Sequence, residues 1–490
     1  MELQFEKSGL DCLMTAERDV KNVEQTQELR LPDTMPDIGK VLCSWGQVLL
    51  RGKEWRSGGM SASGGVMVWV LYLPEDGTQP QTVETWVPFQ VKWDFPDTER
   101  DGIMNVNFLL RCVDARSLSA RKLLVRIGIS AMGQAMVPGR VELMMPAQVP
   151  QDVQLLRRSY PVKLPREAGE KPFELDEEMS APPMEKILRY QLQPELIDRK
   201  IMAGKVVFRG AAALRVLYRD EDGGMKSWEG EIPFSQFADL EGEYDDTADA
   251  FITPAVTNLE LERTENGQLH LKAGLTGQYV VYDRPVIEVV EDAYSPSREV
   301  RAHYEEVAMP MVLDQRQETV RLEQNAPVDG QVMDVFFLTE HPTARRDGDS
   351  VSMELGGTFQ MLLRDGDGVL RGETVKTQGA WTLPAHEDSR ISGISTPSGW
   401  AQSAAGRVFG DVDVTASTVA GQGIPMVTGL TLGDEATPDP MRPSLILRRA
   451  GQEPLWELAK RCGSTVGAIC EANDLSGEPE SGMMLLIPVI

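Results

Sequence analysis

Side chains suited to catalysis or metal binding are scarce in this chain of 490 residues. It has four histidines, and none stands in a His-x-x-x-His or Cys-His spacing: His270, His303, His341 and His386. A zinc-hydrolase helix needs two histidines four residues apart, and His386-Glu387 has no second histidine at that distance. We therefore expect surface or strand positions for the histidines, with no metal site and no cofactor.

Two Gly-Lys pairs and two Asp-Gly stretches partly match the patterns of phosphate-binding and calcium-binding loops. Gly52-Lys53 and Gly204-Lys205 are followed by Glu and Val, whereas a phosphate-binding P-loop needs Ser or Thr there. Asp347-Gly-Asp and Asp365-Gly-Asp-Gly lack the further spaced carboxylates of a calcium loop, so we interpret both as hairpin turns. The chain is predicted not to be an enzyme.

Charge and cysteine content narrow the class of partner. The 49 Lys and Arg residues against 75 Asp and Glu residues give a net charge of −26, which argues against nucleic acid and anionic membranes as partners.

The cysteines are an odd, sparse set without C-x-x-C spacing, which fits a reducing cytosol. They are Cys12, Cys43, Cys112, Cys462 and Cys470. An apolar N-terminal segment and an apolar run of about 18 residues are both absent, so we expect neither a cleaved signal nor a transmembrane segment.

An internal repeat organises roughly the first 440 residues. An apolar strand pattern reaches Tyr72, recurs at Tyr218 and recurs again at Leu363, at offsets of 146 and 145 residues. In every copy an Asp-Gly pair follows four and five residues later, which is typical of a hairpin because the turn needs positive φ. The third copy is the most divergent.

The repeat unit consists of short Val-, Ile- and Leu-rich stretches separated by turn residues. This pattern predicts a mainly β fold, with three antiparallel β-sandwich-like domains arranged as an extended arm. The expected domains are 1–150, 151–296 and a divergent 297–436, followed by a small module at 443–490. Linkers are expected at Pro146–Pro165, Tyr294–Ser297 and Gly433–Pro440, and a single helical turn at Met184–Tyr190.

The last 48 residues predict a strand, two helices and a strand. Leu445-Ile-Leu begins the module, Pro454 suits the first position of a helix, and Leu455, Leu458 and Ala459 form a buried stripe. Ser464 or Thr465 is expected to cap the second helix. Asn473-Asp474 forms its exit turn, and Pro488 ends the final strand.

This module resembles the LysM domain through Leu455-Trp456, Leu458-Ala459, Asn473-Asp474-Leu475 and the Gly482–Pro488 stretch. The resemblance implies a small βααβ fold with a groove that binds a partner or a glycan. The groove residues are expected to be Ile446, Gly451, Gln452, Glu453, Leu455, Trp456, Asn473, Asp474 and Leu475. The family's Gly-Asp-Thr turn is replaced by Gly451-Gln452-Glu453-Pro454, which favours a protein segment over a glycan. The resemblance implies that Trp456 packs mainly between helix and sheet, and the alternative is a buried aromatic anchor for a partner.

The stretch Glu28-Leu-Arg-Leu-Pro-Asp-Thr-Met-Pro-Asp-Ile-Gly-Lys40, with its later Val-Leu-Tyr strand and Val-Pro-Phe, resembles the SPOCS domain. SPOCS repeats that end in LysM are similar to the SipL-type spore coat assembly proteins. The resemblance implies a non-enzymatic adaptor in the mother-cell cytoplasm, at the forespore surface and spore coat. Through LysM it would bind a SpoIVA-like coat morphogenetic ATPase. The alternative is a LysM protein that binds the N-acetylglucosamine chains of peptidoglycan in the cell wall or spore cortex.

Overall fold

The computed structural model describes residues 1–77, 79–96, 101–326, 330–384, 389–421, 423–435 and 441–490. His386 and the end of the predicted linker, 436–440, lie outside the described residues. The described chain is mainly β, and its named strand pairs are antiparallel. Neither of its two helices is long and apolar enough to cross a membrane.

The first copy of the repeat forms two three-stranded sheets. Its strands are β1 (Phe5–Arg30), β2 (Ile38–Arg56), β3 (Gly59–Pro74), β4 (Gln81–Asp94), β5 (Ile103–Ser119) and β6 (Lys122–Pro146). One sheet has the order β1-β6-β5 and the other β2-β3-β4. Apolar side chains of both sheets share a single core cluster, which includes Val70 and Tyr72 of β3 and Ile127 of β6. The two sheets therefore enclose one core.

The same strand order recurs in the second copy. Its strands are β7 (Gln154–Pro161), β8 (Leu164–Met179), β9 (Lys186–Met202), β10 (Lys205–Arg219), β11 (Met225–Asp239), β12 (Asp249–Arg263), β13 (Leu269–Asp283) and β14 (Val286–Tyr294). The sheets are β12-β13-β8 and β11-β10-β9, with β7 paired to β14. The predicted helical turn at Met184–Tyr190 is wrong, because β9 begins there at Lys186 and pairs with β10.

The third copy repeats this topology. Its strands are β15 (Arg298–Val307), β16 (Val312–Asn325), β17 (Gln331–Thr339), β18 (Thr343–Asp347), β19 (Ser350–Arg364), β20 (Leu370–Pro384), β21 (Arg390–Ala404), β22 (Arg407–Val419) and β23 (Ile424–Glu435). Its sheets are β16-β22-β21 and β17-β19-β18, with β20 also paired to β19 and β15 paired to β23. The extra strand β18 distinguishes this copy from the other two.

The Asp-Gly hairpin prediction is confirmed in all three copies. Gly77, Gly223 and Gly368 have φ angles of 71°, 79° and 83°. Each follows the central strand of its sheet, β3, β10 or β19. Glycine accommodates this left-handed backbone without a steric cost, so the turn can return the chain directly to the neighbouring strand.

All three predicted linkers contain strand residues, and residues 433–435 of the third lie in β23. Pro146–Pro165 contains β7, and Tyr294 is a buried strand residue whose ring lies in the core of the C-terminal module. β7 pairs with β14, β15 pairs with β23, and the outer ends of β1 and β6 pair in the same way. Apolar residues of these three two-stranded ribbons share core clusters, so the ribbons pack against one another. Turn-forming prolines at both ends concealed β7 in the sequence.

The three copies meet at repeat-equivalent positions, so the predicted extended arm is wrong. Cys43, Arg189 and Asp334 are separated by the same offsets of 146 and 145 residues that define the repeat. The Arg189 Nη2 atom lies 2.6 Å from Asp334 Oδ2, and its guanidinium lies over the Trp45 ring of the first copy. Burial and the neighbouring Asp334 carboxylate raise the pKa of the Cys43 thiol to about 12, although Arg189 has the opposite effect. The copies therefore surround a common centre.

The C-terminal module is a two-stranded sheet with two helices packed on one face. Its elements are β24 (Leu445–Arg449), α1 (Leu455–Cys462), α2 (Val466–Asn473) and β25 (Met484–Pro488). β24 pairs with β25. The expected order of strand, helix, helix and strand is confirmed.

Candidate functional site

The ends of the two module helices follow from local sequence. Pro454 is the residue before α1 and has an extended backbone, so the helix begins one residue later than predicted. Leu455, Leu458 and Ala459 are buried, as the stripe predicts. Thr465 caps α2, since its side-chain oxygen accepts from Ala468 N at 3.1 Å. Asp474 ends α2 in the left-handed conformation.

The first loop of the predicted groove is mostly open to solvent. Gly451 and Gln452 are exposed, whereas Glu453 is half-buried and pairs with Arg461 at 2.6 Å and Arg448 at 3.3 Å. Ile446 is partly buried beneath the helices, and Leu455 is buried in the module core. Glu453 is therefore already neutralised by the module's own cations.

The two groove loops are joined by a side chain that sequence reasoning missed. The Glu478 carboxylate accepts from Leu455 N, at 2.9 Å and 3.2 Å from its two oxygens. Because Pro454 provides no side-chain cap, the exposed N–H groups at the start of α1 need an external acceptor, and a carboxylate also suits the positive end of the helix. A glutamate in the second loop opposite an uncapped helix was the available signal. Its position bridges the predicted groove.

Asn473 and Leu475, on the other side of the groove, hold the module together. The Asn473 side chain donates to Leu486 O at 2.6 Å and to Ile469 O at 2.8 Å, and it accepts from Leu486 N at 2.8 Å. Leu475 packs against the module core. The Asn473 amide thus links α2 to β25.

Trp456 attaches the module to the repeats. Its indole Nε1 donates to Asp292 Oδ2 of β14 at 2.7 Å, and its ring lies edge-on to the Tyr294 ring at a centroid distance of 4.7 Å. Lys460, one turn later on α1, contacts the same carboxylate at 2.7 Å. Tyr304 of β15 donates to its other oxygen at 2.8 Å. We call Asp292, Tyr294, Tyr304, Trp456 and Lys460 the docking cluster.

The electrostatics of the docking cluster favour an ionised Asp292. Burial opposes ionisation, but hydrogen bonds from Lys460, Trp456 and Tyr304 outweigh it and lower the pKa of Asp292 below its usual value. Burial, followed by the hydrogen bond to Asp292, raises the pKa of Tyr304 to about 12. Tyr294 donates to Ser464 O at 3.1 Å, between the two helices. No local pattern in the sequence connects Asp292 with Trp456, which is 164 positions away.

His341 has a structural position between the first and third copies. Its Nδ1 accepts from Ser395 N at 3.2 Å, so the ring is neutral and Nε2 donates to Asn107 O at 3.1 Å. Burial lowers the pKa of His341 to about 4. Within the described residues, no group of three or more His, Cys, Asp and Glu side chains is placed to hold a metal ion.

A central cavity of about 140 Å³ also lies where the copies meet, and repeat-equivalent residues Gln47, Gln193 and Leu338 line it. Gln47 Oε1 accepts from Leu192 N at 3.0 Å, and Gln193 Nε2 donates to Pro397 O at 2.7 Å. These amides therefore connect neighbouring copies.

Together, these features define a mainly β protein of three similar copies with a docked βααβ module. Residues 183–264 match the family described as SipL, SPOCS domain. The matched segment contains β9 to β12 of the second copy and is a SPOCS domain of the SipL type. The comparisons with curated proteins and with solved structures found no match.

Proposed function

We propose that this protein is a non-enzymatic adaptor of spore coat assembly. The β-rich copies attach to the forespore surface in the mother-cell cytoplasm, and the C-terminal LysM-like module recruits a SpoIVA-like coat ATPase. Tethering the module to a surface-bound body raises the effective concentration of the partner there. The observation that carries this proposal is the SipL-type SPOCS domain at 183–264.

The module's geometry supports a protein partner over a glycan. The Glu478 carboxylate bridges the two loops between which a glycan chain would lie. The amide of Asn473 is engaged within the module, and the indole N–H of Trp456 is engaged by Asp292. A sugar would have to displace these hydrogen bonds, and each replacement carries a desolvation cost.

The test compares the full chain with a chain that ends at residue 435, before the module. Both are immobilised and offered the SpoIVA-like protein of the source cell, and in parallel both are mixed with peptidoglycan sacculi. We expect the full chain to capture the ATPase and the shortened chain to lose that capture. Binding to sacculi alone, competed by chitin oligomers, would replace the adaptor proposal with peptidoglycan binding.

A further inference from the structure

The β24–β25 sheet has one covered face and one uncovered face. Leu485 and Ile487 point into the module core and are fully buried beneath the helices. The alternate residues point away from the helices: Leu445, Leu447, Met484 and Leu486 are 52%, 63%, 49% and 39% exposed. Because successive strand residues alternate between faces, a sheet face open to water normally carries polar residues at these positions.

The exposed side chains form one continuous patch. Leu447 lies directly opposite Leu486, and Arg449 lies directly opposite Met484. Side chains in such cross-strand pairs are neighbours on the sheet surface. We call Leu445, Leu447, Arg449, Met484 and Leu486 the outer face of the module.

The attachment of the module leaves this face uncovered. Trp456 and Lys460 of α1 contact Asp292, so the helical side of the module faces the repeats. The helices lie between the sheet and β14, and the outer face therefore points away from the repeats. Neither β24 nor β25 has another strand partner within the described chain. The outer edge of β25 is occupied at Leu486 by the Asn473 side chain.

The net charge of the C-terminal module is close to zero, unlike that of the remainder of the chain. Residues 441–490 contain five Lys and Arg against six Asp and Glu, a net charge of −1, while the other 440 residues carry −25. Arg449 lies on the outer face, whereas the guanidinium of Arg442 lies beside Gly463 at the C-terminal end of α1. Arg449 has no ion pair with any residue that the structure describes, whereas Arg448 pairs with Glu453.

An apolar centre with an unpaired arginine at its margin is complementary to an apolar segment that carries a carboxylate beside it. Desolvated apolar side chains supply the affinity of such an interface, and charges at its rim steer encounter and select the partner. A glycan fits less well, because the outer face has no aromatic platform.

We propose that the outer face of the module binds an amphipathic, acidic segment of the coat ATPase. This inference rests on the proposed function and adds the surface through which the partner is recognised. The predicted groove then has a structural role, since its residues close the module and attach it to β14. Partner binding and module docking use opposite sides of the same small domain.

The experiment uses the full chain with Leu447→Glu, and the matched control is Leu118→Glu. Leu118 is 46% exposed near the end of β5, so it receives the same change at a similarly exposed leucine outside the module. We expect Leu447→Glu to weaken ATPase capture by at least about tenfold, as expected for loss of a central anchor. Leu118→Glu should leave capture unchanged. The thermal unfolding of both variants should match that of the parent chain.

Charge variants test the identity of the bound segment. Arg449→Glu should weaken capture more than Arg449→Lys, and added salt should reduce the difference between them. If Leu447→Glu captures the ATPase as well as the parent chain does, the inference is overturned. If removal of the module still abolishes capture in that case, the proposed function stands. Failure of the full parent chain to capture the ATPase would overturn both. A parent dimer that Leu447→Glu converts to monomer with capture intact would assign the face to self-association and overturn the inference.

Discussion

Replacing Asp334 by asparagine removes one negative charge from the centre where the three copies meet. The Asp334 side chain is fully buried, and the paired Arg189 side chain is 1% exposed. Arg189 Nε and Nη2 both donate to Asp334 Oδ2, at 3.2 Å and 2.6 Å. Arg215 lies 3.5 Å from the other carboxylate oxygen. Asparagine retains the size of the side chain, so the change isolates the charge.

The expected cost follows from the burial of the remaining cation. Without Asp334, the Arg189 guanidinium is left among Trp45 and Phe336, whose rings lie 5.2 Å and 5.5 Å from its central carbon. These rings attract a cation, but they compensate only a fraction of its desolvation. Breaking a buried ion pair on one side typically costs about 3–5 kcal/mol of unfolding free energy. We expect a loss in this range for Asp334→Asn.

Urea unfolding of the full chain measures the loss, and two further variants interpret it. Arg189→Met combined with Asp334→Leu removes both charges and should recover most of the stability, because apolar replacement of a buried pair is often neutral or stabilising. Asp411→Asn is the matched control, since Asp411 accepts two hydrogen bonds from the exposed Arg321 in the third copy. Its effect should be much smaller. An equally small effect of Asp334→Asn would refute closure of the three copies around this pair.

Three further outcomes are expected. His341 has a folded-state pKa of about 4 and an unfolded value of about 6.5, so the unfolded chain binds more protons between these values. The unfolding free energy should therefore fall by about 3 kcal/mol as pH drops from 6.5 to 4. Chemical denaturation at several pH values measures this dependence. The plot of unfolding free energy against pH should be flatter for His341→Gln but not for the exposed control His303→Gln. Gly372→Ala should lower the unfolding free energy by about 1–3 kcal/mol in the same assay, because the added Cβ would lie 1.7 Å from a β2 carbonyl oxygen. The control Gly366→Ala should leave stability unchanged, because the space around Gly366 is open. The lowered pKa of Asp292 means that its docking contribution is complete above its unfolded pKa of about 3.9 and is lost as pH falls through the lower folded value. Hydrogen exchange of α1 should report this loss, and Asp292→Asn should remove that pH dependence.

The elements that could be predicted from sequence are those with local signals. The Asp-Gly turns need positive φ at one residue, so Gly77, Gly223 and Gly368 marked three hairpins. Thr465 and Asp474 marked the two ends of α2, because a helix cap depends only on the few backbone groups next to it. β7 was missed because its register is set by β14, more than 120 residues later.

The residues of the candidate site likewise fall into those that local sequence predicts and those that depend on tertiary contacts. Leu455, Leu458 and Ala459 belong to a helical stripe that sequence periodicity reveals. Glu478 was missed because its role depends on the approach of two loops. Trp456 was predicted mainly to pack in the module core and alternatively to anchor a partner. In the folded chain it packs against that core and contacts Asp292 and Tyr294. Its binding role for an external partner stays a prediction.

The strand-rich copies, their hairpins and the order of elements in the C-terminal module follow from the amino-acid sequence, since these features depend on residues close together in the chain. The burial of Arg189 with Asp334, the attachment of the module by Asp292 and the exposure of Leu447 and Leu486 follow from the packing of distant segments. These outcomes depend on how the copies pack. A residue's charge or apolarity is visible in the sequence, but its free-energy contribution depends on partners that folding brings from far along the chain.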